Sequence, residues 1–433
     1  RKVLAIQSSS SPVTMTSLAF APLVSSRSAS PQSRRSHRVL ISTIAPSGGG
    51  VGTMTQFVVE ALRRRGLEPV VAHYEPYSLS PHLSVPSYAL LARYVGREVR
   101  LTFGDTETHA IGSWLPELEF THYAAHDDWR KVMDSCATHM AVSGNVLPVT
   151  AYARTQRPFV AWIASDWQGD RVDRVRQFSA PRRWLDAGIN APVIRAIEKR
   201  LLCAGTILPL SEYTRGTLQD LAPCDIGRQL LPMPIDIARF QPQRDARVGY
   251  TIGFVGRYDD PRKNIGLLFA ALGRLRRSVP QARAVVAGGR ATDEIRRLAA
   301  QYGVEDAVAL LGTLRRDQVA ELVPTLDVFV VPSHQEGLCI AALEAMACGV
   351  PVISTRCGGP EEFVLPGETG DLCSSDPADL ATRLRALVGN DRDLARMGDA
   401  ARTLVESKYS LERAESVLFA ALYQRFPALD ITG

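Results

Sequence analysis

His334-Gln335-Glu336-Gly337-Leu338-Cys339-Ile340-Ala341-Ala342-Leu343-Glu344-Ala345-Met346-Ala347-Cys348-Gly349-Val350-Pro351-Val352-Ile353 sets two lone carboxylates around the start of an otherwise apolar helix. Residues 338–348 are rich in Ala, Leu and Met with no interior Gly or Pro, and Gly349 and Pro351 supply the stop. Short apolar runs on either side, Val328-Phe329-Val330-Val331 and Val350 onward, make the unit strand, loop, helix, strand. In a parallel α/β sheet the turn from strand end to helix start is where ligands bind, because free amides and the positive helix end face outward there. Glu344 follows Glu336 at most ~12 Å along the helix axis. Two explanations stand on this stretch alone. Either the carboxylates take the hydroxyls at both ends of a ligand with a diphosphate in its middle, as in a nucleotide sugar, or Glu336 faces solvent and Glu344 pairs with an arginine.

The rest of the composition is that of a globular chain with ample core: 433 residues, 45% hydrophobic and 22% charged. Two domains are expected at this length. A formal charge of +5 is too small to call for nucleic acid. Seven cysteines form no Cys-x-x-Cys pair and no Cys/His ligand spacing, so buried thiols in a reducing cytoplasm are the simpler account. No apolar stretch reaches the length of a membrane span, which leaves only peripheral membrane contact. Residues 1–37 are dense in Ser and Arg and carry no Asp or Glu; they are expected to be disordered, as a targeting segment or an over-extended reading frame.

Residues 38–240 read as a Rossmann-like domain. A strand at His37-Arg38-Val39-Leu40-Ile41-Ser42-Thr43-Ile44 runs into Ser47-Gly48-Gly49-Gly50-Val51-Gly52-Thr53, then a helix to about Arg65 and a strand from Pro69. The third glycine of a dinucleotide fingerprint would fall at Thr53, which makes NAD a poor fit. Residues 74–135 are expected as mixed helices and loops. Further strands fall at 137–142, 158–164 and 206–210, with a helix near 146–157. Strand-end polar residues Asn145, Ser165 and Asp166, together with His126, are candidates to hold an acceptor; helix capping and a core-satisfied histidine are the competing uses. Five arginines among apolar residues in 171–184 suit an anionic lipid surface or a solvated face.

A second doubly wound domain is expected over 241–410, starting at Tyr250-Thr251-Ile252-Gly253-Phe254-Val255-Gly256. Arg257 and Lys263 flank the turn after its first strand, where two cations can balance a diphosphate's charge.

Gly256-Arg257 with Lys263-Asn264, Pro332-Ser333 ahead of Glu336, the Glu336/Glu344 pair, Gly349-Val350-Pro351-Val352, Gly358-Gly359 and Gly367-Glu368-Thr369-Gly370 together resemble the retaining GT-B glycosyltransferases of the large group 1 family. The match is dense over about 250–373 and thinner before it, through Gly48 to Gly52, Ser211-Glu212-Tyr213-Thr214 and Pro234-Ile235-Asp236. The resemblance implies two facing Rossmann-like domains, a nucleotide-sugar donor on the second, an acceptor of unknown kind on the first, no metal, no cofactor, and a cytoplasmic enzyme at most peripheral to a membrane. It gives Arg257 and Lys263 the diphosphate, Glu336 the donor sugar and Glu344 the ribose. Amides of Gly337, Leu338 and Cys339 add phosphate contacts, Gly256 and Asn264 also bind the donor, and Gly50 and Gly52 approach it from across the cleft. Retention then proceeds by attack on the face the phosphate leaves. Where many members carry a histidine before the acceptor loop, this chain has Ile163-Ala164-Ser165-Asp166-Trp167. The apolar spacing of Leu411, Ala414, Val417, Leu418 and Leu422 suits a last helix returning to the first domain, over 411–433. A nucleotide-sugar isomerase and a non-catalytic partner of the same fold remain the alternatives.

Overall fold

The computed structural model describes residues 35–45, 49–91, 94–169, 175, 179–243 and 250–429. Residues 1–34, Gly48 and most of the arginine-rich run at 171–178 lie outside this set, so those expectations are not carried further.

The first half is built on a seven-stranded sheet. Its strands are β1 (Arg38–Thr43), β2 (Glu68–Tyr74), β3 (Arg97–Thr102), β4 (Thr106–Ile111), β5 (Thr138–Ser143), β6 (Val160–Ile163) and β7 (Thr206–Pro209), in the order β3-β4-β2-β1-β5-β6-β7. All neighbours are parallel except β3 with β4. The second half holds β8 (Thr251–Val255), β9 (Arg283–Ala287), β10 (Val308–Leu310), β11 (Val328–Val331), β12 (Val352–Thr355) and β13 (Gly370–Cys373) in one parallel sheet, order β10-β9-β8-β11-β12-β13. That is the doubly wound order, in which the chain reverses between its first and fourth strands and opens a crevice beyond their C-terminal ends. Two Rossmann-like units of this kind make the GT-B fold.

The helices that matter for the site are α1 (Gly50–Arg64), α2 (Asp127–Asp134), α3 (Ala191–Leu202), α4 (Glu212–Leu221), α5 (Ile265–Leu275), α6 (Ile340–Ala347), α7 (Asp391–Lys408) and α8 (Leu411–Arg425). Gly50 and Gly52 lie inside the first turn of α1 rather than in a loop ahead of it. Helix α6 is shorter than the sequence suggested, because Cys339 takes a left-handed φ of 69° and caps it. The last expected helix is α8, whose buried face comprises Ala414, Val417, Leu418, Phe419, Ala421 and Leu422. That face belongs to an apolar cluster reaching from Val39, Met54 and Trp162 to Phe329, Leu343 and Met346, so both halves contribute to it. Helix α8 also meets α1 directly: Arg64 bonds Glu415, and the Arg65 guanidinium sits 4.8 Å over the Phe419 ring. Where the chain passes between the halves, Ile235 N–H donates to the Tyr409 carbonyl at 2.8 Å. Arg402 of α7 fixes the same region, donating to the carbonyls of Phe240, Ile237 and Ala347.

Two expectations are corrected. Residues 74–135 contain the β3–β4 hairpin, whose alternation is masked by charged residues on an exposed edge. Two of the seven cysteines are not thiols: Cys203, just past α3, and Cys224, just past α4, form a disulfide with Cα atoms 6.0 Å apart. Their side chains meet because the two helix ends do, which no sequence spacing announces. Of the five free cysteines all but Cys339 are buried.

Candidate functional site

At the switch point of the second sheet, the turn after β8 and the turn after β11 lie side by side. His334 N–H donates to the Arg262 carbonyl at 2.8 Å and ties them. Asp260 shapes the first turn, accepting from Arg262 N–H at 3.0 Å and from the Arg257 guanidinium at 3.1 Å. Burial would raise the Asp260 carboxyl, but the hydrogen bonds and charge of Arg262 hold it below its ordinary value. Asn264 closes the turn in a left-handed conformation (φ 48°, ψ 46°) and starts α5. Gly256, whose N–H donates to the Ala287 carbonyl at 2.8 Å, leaves β8 at the floor of this turn.

Lys263 and Glu336 face each other here, Nζ to Oε1 2.6 Å, with only 18% and 11% of their side chains exposed. The Ser333 hydroxyl donates to the same carboxylate oxygen at 2.6 Å, and the Ser333 carbonyl is held by the Thr355 hydroxyl at 2.6 Å. Burial opposes the charge on Lys263, but the adjacent carboxylate outweighs it and the amine's pKa rises. Arg257 stands at the rim, 70% exposed.

Beyond Glu336 the chain enters α6 through Gly337, Leu338 and Cys339. None of these three amides donates to another described residue. They form an outward row of donors at the positive end of a helix, suited to phosphate oxygens. The Leu338 side chain is in the core, and desolvation of the Cys339 thiol raises its pKa, so what these two residues present here is backbone. A Cβ on Gly337 would lie 3.0 Å from the Ala164 carbonyl oxygen, so the two halves approach closely here.

Glu344 sits one turn into α6 among Ala342, Leu343, Ala345 and Met346, with 13% of its side chain exposed. Burial lifts its carboxyl from 4.5 to about 7, and Arg316, at 3.9 Å, and Arg239 only partly oppose that. Of the second explanation drawn from the sequence, the arginine neighbour of Glu344 is present at 3.9 Å, whereas Glu336 does not face solvent, with 11% of its side chain exposed.

The first half faces this pocket through three segments. Gly50, at the start of α1, lies so that a Cβ would be 3.6 Å from Ile340 at the start of α6; Gly52 has open space at that position. Ser211, at the N-cap of α4, donates to the Gly337 carbonyl at 3.0 Å, and Thr214 donates to the Ala164 carbonyl at 2.9 Å. The turn after β6 brings Gly169 up to Gln335, with 3.4 Å between the latter's amide and a Cβ placed on the former.

The remaining candidates serve local structure. Asn145 accepts from Leu147 N–H at 3.1 Å. Asp166 accepts from Gly169 N–H at 3.0 Å and from the Ser165 hydroxyl at 3.4 Å, so both shape the turn that faces Gln335. His126 caps α2, its Nε2 is 3.2 Å from the Gly112 carbonyl, and burial lowers its pKa. No described contact brings His126 to the Lys263–Glu336 pair. Sequence reasoning missed Glu198 on α3, which is 2% exposed and accepts from Trp167 N–H at 2.9 Å. Burial raises its carboxyl to about 7. Nothing local signals it: a glutamate on a charged helix reads as solvent-facing. Among the described residues no three His, Cys, Asp or Glu side chains are grouped as metal ligands.

Residues 239–404 match the family model described as "Glycosyl transferases group 1". A D-inositol 3-phosphate glycosyltransferase of Geodermatophilus obscurus is 32% identical over 87% of this chain and 85% of its own length. A GDP-mannose-dependent alpha-(1-6)-phosphatidylinositol monomannoside mannosyltransferase of Mycolicibacterium smegmatis is 33% identical, over 49% of this chain; the chain spans 60% of that relative's length. Among solved structures, a sucrose-phosphate synthase of Thermosynechococcus elongatus superposes with a TM-score of 0.70 at 20% identity, covering 90% of this chain and 99% of that one. At that identity the likeness speaks for the fold.

Proposed function

This chain belongs to the group 1 glycosyltransferases, and on that premise we propose that it moves a sugar from a nucleotide-sugar donor to an acceptor hydroxyl with retention of anomeric configuration. The donor's diphosphate lies between Lys263, Arg257 and the amides of Gly337, Leu338 and Cys339. Its sugar hydroxyls meet Glu336, and its ribose hydroxyls meet the Glu344 carboxylate. Residues 38–240 hold the acceptor, 241–410 hold the donor, and the helix after 410 belongs with the first of these. The observation that supports this proposal is the Lys263–Glu336 pair beside the amides of Gly337, Leu338 and Cys339, with a second carboxylate further along the helix they lead into.

As the sugar–phosphate bond breaks, charge develops on the leaving diphosphate, and fixed cations and amides stabilise it without reorganising. The acceptor attacks on the face the diphosphate leaves, and a phosphate oxygen takes its proton. The relative named for D-inositol 3-phosphate makes a phosphorylated inositol the first acceptor to try. Any membrane contact is peripheral in this reading; no helix among the described residues is long and apolar enough to cross a membrane. Trp184, 76% exposed beside exposed Arg182 and Arg183, is the described part of the basic stretch that would make such a contact.

The test is to incubate the protein with UDP-, GDP- and ADP-sugars, with and without inositol phosphate, and follow nucleotide release. Glu336→Gln and Arg257→Ala are run alongside. Turnover unchanged in both variants would sink the site assignment.

A further inference from the structure

Strand β3 is the outer strand of the first sheet and pairs on one side only, with β4, through an unbroken register from Arg97↔Ile111 to Thr102↔Thr106. On its open side no backbone group of residues 97–102 bonds to another described residue. Exposed edges of this kind are normally blunted by a proline, a bulge, a covering segment or inward charges. Here there is no proline and no bulge, and one face of the strand presents Val99 and Leu101, 59% and 69% exposed. The other face carries Glu98 and Arg100, which hydrogen-bond each other at 2.6 Å. Glu98 also meets His82 at 2.6 Å, in a segment that exposes Leu79 and Tyr88 and broadens the apolar area.

We propose that this edge binds a second copy of the chain, β3 pairing antiparallel with β3 about a two-fold axis at Val99. The order of residues selects that axis. In an isologous antiparallel pair the axis passes through one residue, and partners lie at equal distances on either side of it. An axis at Glu98 or at Arg100 sets that charge against its own copy, which is destabilising. An axis at Leu101 puts Glu98 opposite Gly104 in the hairpin turn. Only Val99, among the central residues, puts Glu98 opposite the partner's Arg100 on both sides, joining two local clusters in which Arg100 also holds the buried Glu75 at 2.9 Å. It also places Val99 against Val99, and the stem of Arg97 across the partner's Leu101. The two seven-stranded sheets then continue as one.

The proposal is tested by light scattering on the intact chain over a concentration series. The expected mass is twice 47.3 kDa, falling to 47.3 kDa in Val99→Lys, which sets two cations on the axis. Unchanged circular dichroism and nucleotide turnover in Val99→Lys establish that it is folded. Independently, Val99→Cys is expected to form an oxidised covalent dimer, whereas Glu98→Cys and Leu101→Cys are not. A monomer at every concentration overturns the proposal. So does a dimer that survives Val99→Lys, or cross-linking equal at the three positions.

Discussion

Lys263 Nζ lies 2.6 Å from Glu336 Oε1, so the cation assigned to the donor's phosphates and the carboxylate assigned to its sugar neutralise each other when no donor is bound. In the proposed complex a nucleotide diphosphate competes with Glu336 for the charge of Lys263, and the sugar hydroxyls offer the carboxylate other donors. Glu336→Gln should therefore lower turnover by about 100-fold or more while binding of the bare nucleoside diphosphate holds or tightens. Lys263→Ala should weaken binding of nucleoside diphosphate and nucleotide sugar alike. Calorimetry with both ligands on both variants separates the two effects, and equal weakening by the two variants would argue against the division of roles.

Glu344 gives a pH signature. Its carboxyl rises from 4.5 to about 7 in the folded chain, so the folded state holds a proton that the unfolded state has already lost across that interval. Stability from this group is intact below about pH 4.5 and falls as pH climbs to about 7, by up to about 3 kcal/mol. Glu344→Gln should thus melt above wild type at pH 8 and match it near pH 4.5, as read by thermal shift. Nucleotide affinity should move the other way: rising with pH through about 7 in wild type, because ribose hydroxyls donate to the ionised form, and flat and weak in Glu344→Gln.

Asn264, at φ 48°, joins the cationic turn to α5 in a left-handed conformation that a β-branched residue resists. Asn264→Val should cost about 1–2 kcal/mol in urea unfolding, and Asn264→Gly close to nothing. If both cost the same, the Asn264 side chain matters here and the backbone angle does not.

Glu198 holds the turn after β6, whose Gly169 approaches Gln335, by accepting from Trp167 N–H. Glu198→Ala removes the carboxylate that accepts from the Trp167 N–H, a loss of about 1–3 kcal/mol, while Glu198→Gln keeps an acceptor for it. We expect Glu198→Ala to raise the KM for acceptor with little change in nucleotide affinity, and Glu198→Gln to restore it. A change in donor affinity alone would place Glu198 elsewhere in the scheme.

Much of the second half was legible because its strands and helices alternate within short windows, and because Gly349, Pro351 and Asn264 punctuate them. The pairing of Lys263 with Glu336 was not: the two are 73 residues apart, and only the parallel placement of β8 beside β11 brings their turns together. Sequence gave each a different part of the ligand and could not see that they hold each other without it. The hairpin at β3 and β4 escaped for a different reason, since Arg97, Glu98 and Arg100 on an edge strand blur the alternation that a buried strand displays. Asn145 accepts from Leu147 N–H and Asp166 from Gly169 N–H, local contacts that residue identity alone could not announce.

The chain passes between its halves once before β8 and once more just before α8, and at the Ile235–Tyr409 hydrogen bond those two passages are stitched together. Arg402, reaching the Phe240 and Ile237 carbonyls beside that bond, adds a second tie, so the two halves are joined at their linkers as well as through the turns that face each other.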